Sequence, residues 1–372
     1  MKILVTGGAG FIGSYIVDRL IADGEEVYIY DNLDPQVHPS GERPDYLHKD
    51  AVFIRGDVRD VEGLANAVKD MEQVYHMAAA VGVGQSMYQI AKYVAVNTGG
   101  TANLLEVLTN RPNKVEKVVV AASMSSYGEG KYKCEIHREQ SPDLRPESQM
   151  QKGEWEVKCP VCGQEMTPLP TDEDKLQICN SIYALTKKDQ EEMVLMWGKA
   201  YGIPAAALRF FNVYGPRQAL SNPYTGVCAI FMSRIKNDKR PVIYEDGGQT
   251  RDFISVKDIA RACVTAMKMK EADYQVFNVG TGKATCIAEI ARTLAKIYGK
   301  DIVPEITNTF RKGDVRHCIS DAGKIEKSLG FKAEIDLENG LEELAEWTEK
   351  VSAADHFDSA AAELKAKGLI VS

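Results

Sequence analysis

The feature that most constrains this chain is a turn close to its start. A β-type apolar run at residues 2–6 breaks into Thr6-Gly7-Gly8-Ala9-Gly10-Phe11-Ile12-Gly13, and helix-spaced apolar residues follow at Ile12, Ile16 and Leu20. Gly7, Gly10 and Gly13 have the spacing G-x-x-G-x-x-G. Glycines there permit a tight turn, close backbone approach to a pyrophosphate, and close packing of helix on strand. The helix N-terminus adds free N–H groups and the positive end of a dipole. The plainer alternative is a flexible turn, but the position between strand and helix is the one a dinucleotide loop requires.

Further β-type runs lie at residues 26–30, 51–54, 73–77, 115–121 and 205–211, with helical spacing at 101–108, 181–201 and 287–298. Strands such as Val118-Val119-Val120 are apolar on both faces, as in a sheet covered on both sides. This alternation predicts an α/β fold: a Rossmann-type doubly wound parallel sheet with a smaller C-terminal substrate-binding lobe. Residues 1–130 and 176–213 are assigned to the dinucleotide domain and 131–175 to an insertion. Residues 214–350 mainly form the second lobe, with 251–280 returning to the first domain. Residues 351–372 form a tail, either an amphipathic helix or loose chain.

Asp31 closes the second β-type run, where a carboxylate can accept hydrogen bonds from adenosine ribose hydroxyls and repel a 2′-phosphate. That favours NAD over NADP; the alternative is a residue starting a turn. Asp57 either contacts the adenine amino group or caps the next helix.

Composition narrows the partners. The 372 residues carry a net charge of −8, which argues against a nucleic-acid surface. No apolar run reaches membrane-spanning length. Eight cysteines without a secretion signal are expected to be reduced thiols in the cytoplasm.

Tyr183-Ala184-Leu185-Thr186-Lys187 sets a phenol and an ammonium one helical turn apart on one face. An ammonium beside a phenol favours the phenolate. Such pairs arise often by chance, so the signal lies in its combination with the glycine loop and Ser123-Met124-Ser125-Ser126-Tyr127-Gly128.

With these motifs the chain resembles the extended short-chain dehydrogenase/reductase family, specifically its nucleotide-sugar epimerases and dehydratases. The resemblance covers nearly the whole chain. It includes Asp31-Asn32, Gly56-Asp57-Val58, His76-Met77-Ala78-Ala79, Asn97-Thr98-Gly99-Gly100-Thr101, Arg209 to Arg217, Arg251-Asp252-Phe253 and Arg311-Lys312-Gly313-Asp314. It implies Tyr183 as general base, Lys187 as its partner and a nicotinamide-ribose ligand, and Ser123 as a relay to the sugar. NAD would be held by Gly7, Gly10, Phe11, Ile12, Gly13, Asp31, Asn32, Asp57, Val58, Ala78, Ala79 and Asn97, together with Tyr183 and Lys187. A nucleotide-diphosphate sugar would meet Ser123, Ser125, Asn212, Arg251 and Arg311. The bland readings are surface ion pairs for the two arginines and a turn for Asn212.

Family dehydratases carry an Asp-Glu pair where this chain has Met124-Ser125, and the 3,5-epimerases use a Cys nearby. What remains is the residue set for inversion at C4. Val81 stands where UDP-galactose 4-epimerases commonly place a Lys. The segment from Ser123 to Tyr183 spans 183 − 123 = 60 positions, about twice the family's usual length. Together with Gly82 to Tyr88 and Ser221 to Gly226, this looks most like the dTDP-L-rhamnose 4-epimerase group. Rivals are a UDP-glucose or UDP-uronate 4-epimerase, an NAD(P)H-dependent 4-keto-sugar reductase, and a non-catalytic NAD-binding regulator. The family also implies a homodimer through the helices around Thr101 and Tyr183.

The insertion holds Cys134-Glu135-Ile136-His137 and, 159 − 137 = 22 positions on, Cys159-Pro160-Val161-Cys162. Two such knuckles form the pattern of a zinc ribbon. Four protein ligands leave no open position, so Cys134, His137, Cys159 and Cys162 would hold a structural zinc. Scattered thiols are the alternative. A loop this long needs something to order it. The insertion is expected to shape the sugar pocket or a subunit contact.

Overall fold

The computed structural model describes residues 1–371. Seven strands form one parallel sheet: β1 (Lys2–Thr6), β2 (Glu26–Asp31), β3 (Val52–Arg55), β4 (Gln73–His76), β5 (Lys117–Ser123), β6 (Ala205–Phe210) and β7 (Gln275–Val279). Their spatial order is β7-β6-β5-β4-β1-β2-β3. The order reverses between β1 and β4, and the crevice at such a switch point is where this fold binds ligands. Every residue of β5 is buried, which explains its unbroken apolar run.

Two apolar layers cover the sheet. On one face α1 (Phe11–Ala22) packs beside the helix Val256–Lys268, around Ile16, Val17, Leu20, Ile259 and Cys263. The other face buries Leu64, Leu104, Val194 and Trp197 from the helices Val61–Val68, Gly100–Asn110 and α2 (Ile182–Tyr201). Ser181 caps α2, its hydroxyl accepting from the Ala184 N–H at 3.1 Å, and Gly202 ends it in the left-handed conformation. A third core, around Phe231, Ile243, Leu294 and Leu344, belongs to the second lobe.

The insertion is not a free-standing module. Its strands Lys131–Cys134, Arg138–Gln140 and Thr167–Thr171 join a six-stranded sheet with Thr250–Arg251, Thr285–Cys286 and His317–Ser320 of the second lobe. A small core of Tyr132, Cys134, Val157, Cys159 and Met166 lies within it. Charge does the rest of the joining. Arg145 pairs with Glu245 through two 2.9 Å hydrogen bonds, and Arg316 pairs with Glu245, Asp246 and Glu156. The Glu129 carboxylate accepts from the Arg316 N–H and the Tyr132 hydroxyl, each at 2.8 Å.

The tail is ordered. A helix, Phe357–Ala366, and a short strand, Ile370–Val371, follow the second lobe, and the strand pairs antiparallel with Phe310–Arg311. Among the described residues no helix is long and apolar enough to cross a membrane.

Candidate active site

A single cleft of about 700 Å³ runs along the carboxyl ends of the strands and between the lobes. That volume suits a ligand-binding site. Its floor is the glycine turn. Gly7 has φ +69°, and a Cβ on Gly13 would lie 2.2 Å from the Gly7 carbonyl oxygen. Neither position tolerates a side chain, so the backbone lies bare at the start of α1. Gly10, Phe11, Ile12, Val58, Ala78 and Ala79 also line the cleft.

Asp31 lines the cleft at the end of β2. Its carboxylate accepts from the Leu33 N–H at 2.9 Å and the Ala9 N–H at 3.0 Å. Burial pushes this carboxyl up, against the pull of those N–H groups. Asp57 does not cap a helix: Asp60 caps Val61–Val68, accepting from the Gly63 N–H. The Asp57 carboxylate is gripped instead by Arg59, at 2.7 and 2.9 Å, and by Asn32 at 2.8 Å. The Arg59 guanidinium holds it below the usual carboxylate range.

Ser123 ends β5 and caps the short helical turn Met124–Tyr127, its hydroxyl accepting from the Ser125 N–H. Ser123, Met124, Ser125, Tyr183 and Lys187 face the same cleft. Burial pushes the Tyr183 phenol up, and the Ser123 hydroxyl pulls it back down. Lys187 does not do so here. Its ammonium donates to Gln190 Oε1 at 2.8 Å, one turn further along α2, and burial draws it down to about 7.

Behind this pair lies a buried polar network that the motif reading missed. Gln190 donates to Thr101 at 2.9 Å, and His76 bridges Thr101 and Thr6 at 3.0 and 2.8 Å. Burial drives His76 down to about 3, so its ring is neutral. The available signal was spacing: Gln190 lies three positions after Lys187 and seven after Tyr183, on one helical face.

Asn97 holds the loop after β4 from within. It is fully buried and is not among the residues lining the cleft. Its amide exchanges hydrogen bonds with the Ala80 backbone and donates to Thr186. It therefore fixes the loop after β4, at the cleft wall, because the turn Val94–Gly99 carries its side chain inward.

On the opposite wall stand Asn212, Arg251 and Arg311. The Asn212 Oδ1, Gln218 Oε1 and Gln249 Oε1 atoms are buried without a partner, though all three residues line the cleft. Buried acceptors left so are costly. Gln218 and Gln249 were not anticipated. Arg251 donates to the Thr250, Val315 and Arg316 carbonyls. Arg311 lies over the Tyr244 ring at 4.8 Å and pairs with Asp314 at 2.7 Å.

No residue from 131 to 175 lines the cleft among the described residues, so the insertion does not shape the pocket directly. It shares a sheet with Thr250–Arg251, which lie toward the opposite side of that sheet from the insertion's strands. Cys134, His137, Cys159 and Cys162 nevertheless come together, with donor atoms all within 4.8 Å of one another.

Comparison with known proteins fits this geometry. A family profile described as "NAD dependent epimerase/dehydratase family" matches residues 3–149, and one described as "GDP-mannose 4,6 dehydratase" matches residues 163–344. The chain belongs to the NAD-dependent epimerase/dehydratase family of enzymes. It is 37% identical over 350 residues to a dTDP-L-rhamnose 4-epimerase of Burkholderia thailandensis, covering 93% of this chain and 94% of that protein. A UDP-glucose 4-epimerase of Thermotoga maritima, solved with UDP-glucose, superposes with a TM-score of 0.77 at 32% identity, covering 94% of this chain and 99% of that one. A UDP-glucuronic acid 4-epimerase of Bacillus cereus, solved with UDP-glucuronic acid and NAD, gives 0.77 at 27% identity, covering 95% and 100%.

Proposed function

We propose that the protein is an NAD-dependent nucleotide-sugar 4-epimerase, an isomerase, and that its substrate is a dTDP-6-deoxyhexose such as dTDP-L-rhamnose. The observation that carries the reaction is one cleft joining the glycine turn, the Ser123–Tyr183–Lys187 set and the Asn212–Arg251–Arg311 wall. The glycine turn, Asp31 and the Ala78-Ala79 segment fit the pyrophosphate and ribose of NAD, which when bound would take up and return the C4 hydride. Tyr183 removes the proton from the sugar 4-hydroxyl and later returns it. Ser123 hydrogen-bonds the same oxygen and eases ionisation of the phenol. Lys187 holds a ribose of the cofactor, with Gln190 keeping its amine in place. Arg251, Arg311 and Asn212 hold the diphosphate while the 4-keto sugar turns over between half-reactions, the geometric requirement of inversion. Met124 and Ser125 offer no acid or base for elimination, which argues against a dehydratase.

The choice of a neutral deoxy sugar rests on charge. Apart from Arg251 and Arg311, which this reading gives to the diphosphate, the cations lining the cleft are engaged within the chain: Arg59 by Asp57, Lys92 by Asp34, Lys187 by Gln190 and Lys312 by Glu147. The segments beside Tyr183 offer Val81, Val83, Met124 and Ser125, none of which pairs with a uronate carboxylate. Incubation with dTDP-, UDP- and GDP-sugars, followed by NMR, tests both levels. Inversion at C4 of dTDP-L-rhamnose is expected; faster turnover of a UDP-sugar overturns the substrate, and net consumption of NAD(P)H overturns the reaction. Tyr183→Phe should lower kcat by about 10²–10⁴-fold while NAD stays bound.

The same reading includes a structural zinc. Tetrahedral zinc has bonds of about 2.3 Å to sulfur and 2.0–2.1 Å to nitrogen, which sets S···S near ~3.8 Å and S···N near ~3.6 Å. The pairs Cys134–Cys162 at 3.7 Å, Cys134–His137 at 3.6 Å and Cys159–His137 at 3.5 Å match this. Exposed Leu185 and Met196 on α2 support a second copy of the chain docking there.

A further inference from the structure

The tail beyond the second lobe has no part in the mechanism above, yet it covers the cleft. Phe357, Ala360, Ala361, Leu364 and Leu369 all line it. Three separate attachments hold the tail down. At its start, Arg234 pairs with Asp358 at 2.7 Å and Asp355 at 3.3 Å, and its guanidinium lies 4.7 Å from the centre of the Phe357 ring. At its middle, Glu363 accepts from the Tyr88 hydroxyl at 3.1 Å and the Tyr224 hydroxyl at 3.3 Å, and those two hydroxyls lie 2.6 Å apart. At its end, Ile370 and Val371 pair with Arg311 and Phe310, and the Leu369 carbonyl accepts from the Lys312 N–H.

These attachments lead to the reacting centre. Leu364 packs on Gly84, where an added Cβ would lie 3.2 Å from a Leu364 methyl carbon. Gly84 belongs to the turn Val83–Ser86, and the Ser86 hydroxyl accepts from the Tyr183 N–H at 3.0 Å. Tyr224 packs over Gly82, beside Tyr93, whose ring centre lies 6.4 Å from that of Tyr183. The tail thus runs from the Tyr183 end of the cleft to Arg311.

We propose that residues 355–371 are the outer wall of the nucleotide-sugar site, with Leu364 and Glu363 as positioning residues that close it over the sugar. This rests on the reading of the cleft given above. A 4-keto sugar must rotate without leaving and without meeting bulk water. Ala360, Ala361 and Leu364 present small apolar faces that enclose a sugar but offer its hydroxyls no hydrogen bond, so it is confined and free to turn. Pairing of the last strand with Phe310–Arg311 fixes the backbone that aims Arg311 at the diphosphate. If the wall opens, a keto sugar that escapes has lost two electrons to the cofactor, and one reduced cofactor stays behind per sugar released.

The test uses the full-length protein with Leu364→Asp. KM for the nucleotide sugar should rise about tenfold and kcat change by less than about threefold. The reduced-cofactor fluorescence should accumulate with substrate, and the unsubstituted protein should show no such accumulation. Leu364→Ala and Glu363→Gln run alongside, so that a misfolded Leu364→Asp still leaves a result; each should raise KM about threefold. Folded variants whose KM, and whose Kd for free dTDP by calorimetry, stay within about twofold of the unsubstituted protein overturn the wall. If the unsubstituted protein converts no nucleotide sugar, the reading of the cleft fails first, and the wall with it.

Discussion

The seven-stranded sheet and the insertion are held together by different forces. The sheet stands on apolar burial: Val118, Val119 and Val120 are wholly inside, and helices cover both faces. The insertion has a five-residue core and depends on ions. Arg145, Arg316, Glu129 and Glu245 are almost completely buried where it meets the second lobe. The first kind of order is non-directional and tolerant of detail. The second is directional, and a buried charge that loses its partner is strongly destabilising. The functional side chains follow the same division. Those on the sheet ends sit on a rigid support, whereas Arg251 lies on a sheet whose other edge is the insertion.

The largest expected effect tests that division directly. Arg316→Met leaves Glu156, Glu245 and Asp246 short of a partner and should cost about 3–5 kcal/mol. In urea titration the insertion should then unfold before NAD is released. Coincident loss of both would mean that the two regions form one cooperative unit.

Removing the proposed metal ligands comes next. The purified chain should carry about one zinc, and Cys159→Ser or a strong chelator should release it. Limited proteolysis should then cut within 131–175 while NAD binding persists. A metal content well below one per chain breaks this part of the comparison.

The smallest effect is a pH dependence. The His317 hydrogen bond, with Arg316, holds the Glu156 carboxyl down to about 2, from 4.5. A depressed carboxyl stabilises the fold above 4.5, and that contribution fades as pH falls through about 2. Glu156→Gln should therefore lower the urea midpoint at pH 6, with a smaller gap at pH 3. An equal gap at both values would show that the ion pair contributes nothing measurable.

The same contrast explains how much was legible beforehand. β1 and α1 lie where their apolar spacing predicts, since that spacing reports local geometry. α2 carries Tyr183 and Lys187 on one face for the same reason. Local spacing gives Asp57 two roles, and only the position of Asp60 at the helix start removes the cap from them. Asn97 bonds the Ala80 backbone 17 positions away, a contact no local pattern encodes. Gln190 was overlooked because its partners, Thr101 and His76, lie 89 and 114 positions away. The tail's spacing fits a helix or loose chain equally, because nothing local names Gly84 or Arg234 as its dock.

The parallel sheet, the glycine turn, the Tyr183–Lys187 pair and each of the two knuckles can be read from the chain alone, because each depends on side chains a few residues apart. The folded chain adds that the insertion shares a sheet with Arg251, that Lys187 is held by Gln190, and that tail residues line the cleft. Those outcomes depend on contacts between segments far apart in the chain, and neither periodicity nor spacing carries a signal for such contacts.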